Sequence, residues 1–422
     1  MDQGNTAFVL ISAALVLLMT PGLAFFYGGM VKAKSVVSMM MLSFGSLALI
    51  GVLWVLYGYA IAFSNGGSDT YFGIDGWFGI DTSLIGLTAP VAEAAAPTGA
   101  FPTLAFVAFQ ATFAIITVAL ISGAIADRAK FGGWMVFAGL WATIVYFPVA
   151  NWVFNFTVAD GEIVDGGWIV YGLGAIDFAG GTAVHINAGA AGLALAIVLG
   201  KRFGFSKGIT QPHNVPLTLL GVALLWFGWF GFNAGSELAA DGIASLAFIN
   251  TLAAPSAAML GWILIEKIKH GKATSIGAGS GAIAGLVAIT PACASLDPIW
   301  AMALGLVAGM LCALAIDLKY SLGFDDSLDV VGIHLVGGIV GTLWIGIFGN
   351  GVGAAFGFGF DQFIAQVLGA GAVLVYSFVM ALVLGFIVEK TIGFRVKAQD
   401  EIAGIDTVVH GEEAYAFGAE RG

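Results

Sequence analysis

The chain has 422 residues, 59% of them hydrophobic and only 10% charged, with a formal net charge of -11. A soluble domain of this size carries about 25% charged residues, so the composition excludes an ordinary soluble fold. The 62 glycines fit a membrane interior, where small residues let helix backbones approach closely, and the class is an all-α polytopic membrane protein.

Charge-free apolar runs of about 18 residues or more are long enough to cross roughly 30 Å of hydrocarbon as helices. Such runs predict eleven transmembrane helices, near 7–31, 39–63, 101–126, 132–153, 180–200, 215–235, 244–266, 274–290, 298–317, 329–349 and 361–389. The last run is longer than the bilayer and is expected to tilt. The first basic residue is Lys32, so the start lacks the positive segment of a cleavable signal peptide. Cys293 and Cys312 lie in apolar runs and read as buried thiols rather than as a disulfide framework or metal site.

Basic residues orient the spans. Lys32 and Lys34, Arg128 and Lys130, Lys201, Arg202 and Lys207, Lys267, Lys269 and Lys272, Lys319, and Lys390, Arg395, Lys397 and Arg421 all follow odd-numbered spans. By the positive-inside rule this places the N-terminus outside and the tail in the cytoplasm. Acidic residues such as Asp69, Asp75, Asp81, Glu93, Asp160, Glu162 and Asp165 crowd the opposite loops. A negative outer face enriches cations at a pore mouth, although acidic loops also serve solubility.

Two segments repeat one pattern. His185-Ile-Asn-Ala-Gly189-Ala-Ala-Gly192 and His334-Leu-Val-Gly-Gly338-Ile-Val-Gly341 both read H-x3-G-x2-G, with Asp177 before the first and Asp329 before the second. They fall in the fifth and tenth spans. An offset of five spans inverts the second copy in the membrane, an arrangement that puts a transport pathway at the repeat interface. The expected organisation is a transmembrane domain over 1–391 and a cytoplasmic tail over 392–422. Repeat one covers about 7–200, repeat two about 215–349, and the eleventh helix about 361–389.

His185 and His334 lie several residues inside apolar spans. A charged ring is costly at that depth, so both read as neutral imidazoles with one donor and one acceptor nitrogen each. They suit the lining of a narrow lumen for a small polar solute. On the residues alone, two histidines bridging helix carbonyls, or ligating a haem, remain open. Aromatic stretches around Phe109 and Phe113 and from Trp229 to Phe232 place cation-attracting faces near the outer ends of spans three and six, and Ser236 adds a hydroxyl. Asp177 either caps the next helix or strengthens the outer field. Pro291, beside Thr290, stops span eight.

The chain resembles the ammonium transporter family (Amt/Mep, related to Rhesus proteins), on the Amt side. The resemblance rests on 177–187, GWFGFNAGS at 228–236, SGAIAGLVAITPAC at 280–293 and 329–338. It runs from the FFYGG stretch at 25–29 to GFRV at 393–396 and HGE at 410–412. It implies that Phe113 and Phe232 are the phenyl gate and that His185 and His334 are the pore histidines. It also implies that Ser236, Phe109, Phe154 and Asp177 serve the outer ammonium site, and that Trp229 and Thr290 line the pore. Phe154 stands where many members carry a vestibule tryptophan, with Trp152 or Trp168 as possible substitutes. Val408 stands where plant members carry a regulatory threonine. The expected protein is a non-enzymatic homotrimer of the plasma membrane that passes ammonium-derived nitrogen. It needs no cofactor, binds no nucleic acid, and in bacteria is often met at the cytoplasmic face by a PII-type signalling protein.

Overall fold

A computed structural model describes residues 1–93, 99–159, 162–205 and 211–415. Asp160, Lys207, Arg421 and the end of the tail, all used in the charge reading above, lie outside the described residues. Eleven apolar helical stretches follow the predicted runs closely: α1 Gln3–Met30, α2 Val36–Ala62, α3 Thr103–Ile125, α4 Phe131–Phe154, α5 Gly181–Leu199, α6 Val215–Glu237, α7 Gly242–His270, α8 Ser275–Ile289, α9 Pro298–Leu322, α10 Val331–Phe348 and α11 Asp361–Thr391. Ten are long and apolar enough to cross a bilayer, and α8 is a shorter apolar helix. The 31 residues of α11 make about 46 Å of helix, more than the hydrocarbon thickness.

Caps set several helix starts. Asp2, Asn214, Asp241 and Thr274 each accept a backbone N–H of the following first turn, as short polar side chains do at N-caps. Helix α1 packs along α6, and α5 lies against α10 and α11. The α1–α6 and α5–α10 contacts join corresponding members of the expected inverted repeat.

The two acidic loops are not featureless. Each carries a short antiparallel hairpin: β1 Tyr71–Ile74 with β2 Phe78–Asp81, and β3 Phe156–Ala159 with β4 Glu162–Gly166. Asp75-Gly76, with Gly76 at φ +69°, supplies the turn for the first. The hairpins are joined by aromatics. Trp77 stacks on Trp168 at 4.7 Å and 6°, and the Trp152 indole donates to the Trp77 carbonyl at 2.5 Å.

The basic face is tied together by buried charge. The Arg202 guanidinium donates to both Asp325 oxygens, one from Nη2 at 2.9 Å, and to Asp127 at 3.3 Å. Burial opposes ionisation of Asp325, yet the Arg202 hydrogen bonds hold its carboxyl below the usual carboxylate range. The tail docks on the same knot. Arg395 donates to the Leu199 and Lys201 carbonyls at 2.6 and 2.7 Å, and Glu401 accepts the Phe203 N–H at 2.5 Å. The Asp406 carboxylate caps the start of α2 by accepting from Val37 and Ser38.

Candidate functional site

The site is built on two interrupted helix starts. Asp177 precedes α5, and its carboxylate gathers the next turn. Oδ1 accepts from the Gly180 and Gly181 N–H groups at 2.8 and 2.5 Å. Oδ2 accepts from the Thr182 and Ala183 N–H groups at 2.7 and 3.1 Å and from the Thr182 hydroxyl. Residues Gly181–Ile186 then form a π-helical turn that carries His185 into the protein. Helix α10 starts the same way, with a π-helical turn over Val331–Leu335 that carries His334. π-bulges of this kind are frequent at functional sites.

The two imidazoles meet. Their Nδ1 atoms are 3.2 Å apart and the rings lie 5.3 Å between centroids at 25°. Both residues are buried, at 1% and 3% exposure. A hydrogen bond between two Nδ1 atoms requires one ring to donate and the other to accept. The Nε2 of His185 has no hydrogen-bond partner among the described residues. The glycine of each H-x3-G motif allows this approach. A Cβ on Gly189 would stand 2.5 Å from the Leu335 nitrogen, and one on Gly338 would stand 3.0 Å from the Gly181 oxygen and 3.2 Å from the His185 Cβ. Each glycine admits the backbone beside the opposite histidine.

Aromatic rings continue the line toward the acidic face. Phe232 stacks on His185 at 6.1 Å and on Phe113 at 4.2 Å, and Phe109 tilts against Phe113 at 4.8 Å. Trp229 stacks beside His185 at 5.5 Å. Its indole donates to the Thr290 hydroxyl at 2.9 Å, which in turn donates to the Leu286 carbonyl at 2.7 Å. Trp229 and Thr290 therefore hold each other beside His185. Beyond the phenyl pair lies a cavity of about 780 Å³ lined by Phe109, Phe154, Asp177, Ser236, Gln110 and Glu237, among others. The Ser236 hydroxyl donates to the Phe232 carbonyl at 2.8 Å, which leaves its oxygen lone pairs free to accept. Asp177 lines this cavity with oxygens engaged by the helix it caps.

Phe154 stands in the cavity wall, edge-on to Phe113 at 6.2 Å and 79°. Trp152 and Trp168 belong instead to the hairpin cluster around Trp77. Three residues were not singled out by the sequence pattern. Gln110 and Glu237 join the cavity lining. Gln366, fully buried in α11, accepts the Ile176 N–H at 2.7 Å and donates to the Ile176 and Thr342 carbonyls at 2.7 and 3.0 Å. It thus clamps the residue next to Asp177 to α10.

A bundle of apolar helices, with a file of phenyl and imidazole rings leading inward from a cavity on one face, defines a polytopic transport protein rather than an enzyme. The model of the Ammonium Transporter Family matches residues 7–415. An ammonium transporter of Mycobacterium tuberculosis is 55% identical over 441 residues, covering 100% of this chain and 92% of its own. Ammonium transporter Amt1 of Archaeoglobus fulgidus is 42% identical, covering 98% of this chain and 100% of its own. Among solved structures, a sensor Amt protein superposes with a TM-score of 0.86 at 28% identity, covering 96% of this chain and 98% of its own. Mep2 of Saccharomyces cerevisiae superposes with a TM-score of 0.82 at 33% identity, covering 94% and 88%. The chain belongs to the ammonium transporter family, and its function is ammonium transport.

Proposed function

We propose that ammonium is gathered in the cavity at the acidic face, passes its proton to solvent water there near Asp177 and the phenyl pair, and crosses the histidine file as ammonia, any movement of the proton inward being a separate transfer. The observation that carries this reading is the ring series Phe109, Phe113, Phe232, His185 and His334, with neighbouring centroids 4.2–6.1 Å apart. A desolvated cation gains roughly 0.5–2 kcal/mol from an aromatic face. Stripping a monovalent ion of water costs tens of kcal/mol in a dry medium. Dispersal of charge over a few rings does not offset that cost, so the file favours a species able to become neutral. Ammonium is such a species, and potassium and sodium are not.

Within this scheme Ser236 accepts a hydrogen bond from ammonium while Phe109 and Phe154 offer ring faces to it. The negative charge of Asp177 favours the cation in the cavity. Phe113 and Phe232 form the gate, Trp229 and Thr290 line the wall beside His185, and the paired imidazoles present a donor and an acceptor to ammonia. The orientation that fits the charge asymmetry has the N-terminus and cavity outside the plasma membrane and the tail, 392–422, in the cytoplasm. The transport domain covers 1–391. A homotrimer with one pathway per subunit, and a PII-type signalling protein at the basic face, are the assembly and partner that the family resemblance supports.

Replacing one imidazole tests the scheme. His185→Asp puts a carboxylate into the file and is expected to change methylammonium uptake by about tenfold or more, or to change its selectivity over potassium, in a membrane-inserted protein. Uptake equal to wild type in both respects removes His185 from the pathway.

A further inference from the structure

The two histidine segments share a feature beyond the motif that names them. Asp177 stands eight residues before His185, and Asp326 stands eight residues before His334. In both, Oδ2 accepts the backbone N–H five residues on. Asp177 takes Thr182 at 2.7 Å and Asp326 takes Val331 at 2.7 Å. In both, that N–H belongs to the π-helical turn holding the histidine. Asp329, the aspartate nearest His334 in the tenth-span motif, does something else. It sits at φ +62° and accepts the Lys319 ammonium at 2.6 Å.

The capping carboxylates differ in what remains to them. Asp177 is fully engaged, as described above. Asp326 is 1% exposed, yet its Oδ1 has no hydrogen-bond partner among the described residues. The charged and titratable groups that interact with it are Lys319, which donates to the Asp326 carbonyl at 3.1 Å, Asp329, the buried Arg128 and Tyr27. Burial, and then Asp329, push the Asp326 carboxyl up to about 6 against the opposing pull of Lys319. The buried side chain thus accepts the Val331 N–H, with the Val330 N–H also directed at the carboxylate, at the start of the turn that follows.

We propose that Asp326 is a positioning residue for His334, fixing through the Val331 N–H the π-helical turn that presents the imidazole to His185. The proposal rests on the reading of His334 as a pathway residue. A π turn is a rare form that occurs mostly as a single turn inside an α-helix, so the position of the ring it carries depends on what holds the turn's first residue. Loss of that hold shifts the ring from its 3.2 Å contact with His185. The consequence falls on passage through the file, not on capture in the cavity at the other face.

The test is methylammonium uptake into vesicles containing the full-length protein, with three variants and the thermal unfolding midpoint of each. Asp326→Leu keeps the shape and removes the acceptor. The maximal rate is expected to fall about tenfold, with the half-saturating concentration within about twofold of wild type. Asp326→Asn keeps an acceptor oxygen for Val331 and is expected to retain a rate within about threefold of wild type. A folded leucine variant at wild-type rate, or an asparagine variant as impaired as the leucine one, overturns the proposal. If Asp326→Leu does not fold, Asp326→Asn decides: a rate within about threefold supports the proposal, and a loss of about tenfold or more overturns it. His334→Ala is measured beside them. Wild-type uptake and selectivity in that variant defeat the pathway reading itself. Impairment there with a fully active Asp326→Leu defeats only the role of Asp326.

Discussion

The segment leading into His185 and the segment leading into His334 start alike, with an aspartate, an irregular turn and a glycine four residues past the ring, but they end in different surroundings. Asp177 faces a cavity and receives four backbone N–H groups and a hydroxyl. Asp326 is sealed among Lys319, Asp329 and Arg128, in the face where the tail docks. The difference separates two tasks that one residue type performs. The cavity-side carboxylate has both oxygens committed to the cap it provides, so it is an anchor for the turn. The carboxylate on the basic face accepts at the start of the His334 turn and keeps one oxygen without a hydrogen-bond partner among the described residues.

This comparison is broken most easily at its heavier end. Asp177→Ala leaves several buried N–H groups of the His185 turn without an acceptor. Each orphaned group costs about 1–3 kcal/mol, so the variant is expected to lose at least about 3 kcal/mol of stability and most of its transport. A thermal unfolding scan with an uptake assay reads both. Retention of wild-type stability means the carboxylate is not the anchor described. A much smaller effect is expected at the cavity floor. Ser236→Ala removes one acceptor from the cation and a hydrogen bond to the Phe232 carbonyl. The half-saturating ammonium concentration should rise by about threefold to tenfold, in line with about 1 kcal/mol for one hydrogen bond. The maximal rate should stay near wild type. A fall in maximal rate at unchanged half-saturation moves Ser236 from the binding site to the gate.

The spans were legible because each is a run of apolar residues closed by charge, and lipid admits few other backbone forms. The basic residues then ordered them without reference to any contact. The hairpins were not legible. Gly-, Asp- and Ala-rich loops carry weak alternation, and the stacking of Trp77 on Trp168 joins residues far apart in the chain. The histidine pair stood out as ionisable groups at membrane depth, whereas the roles of Phe113, Phe232 and Ser236 rested on family resemblance, since one phenylalanine among 33 has no distinctive spacing. Asp326 was missed for a specific reason. Asp329 lies closer to His334 in the chain and draws the parallel with Asp177 to itself. The offset of eight residues, shared with Asp177, was present in the chain but gains meaning only when both aspartates are seen to accept the same N–H of the same kind of turn. The tail's anchorage through Arg395 and Glu401 has no local signature, because its partners are backbone atoms of the loop after α5.

The central claim is that the ring file passes a molecule that has shed its charge and refuses ions that cannot. Purified wild-type protein in vesicles, challenged in turn with equal inward gradients of ammonium and potassium, measures this directly. The account predicts sustained uptake of ammonium nitrogen and potassium entry no greater than in protein-free vesicles. Potassium flux through the intact protein at a rate comparable to that of ammonium would contradict it.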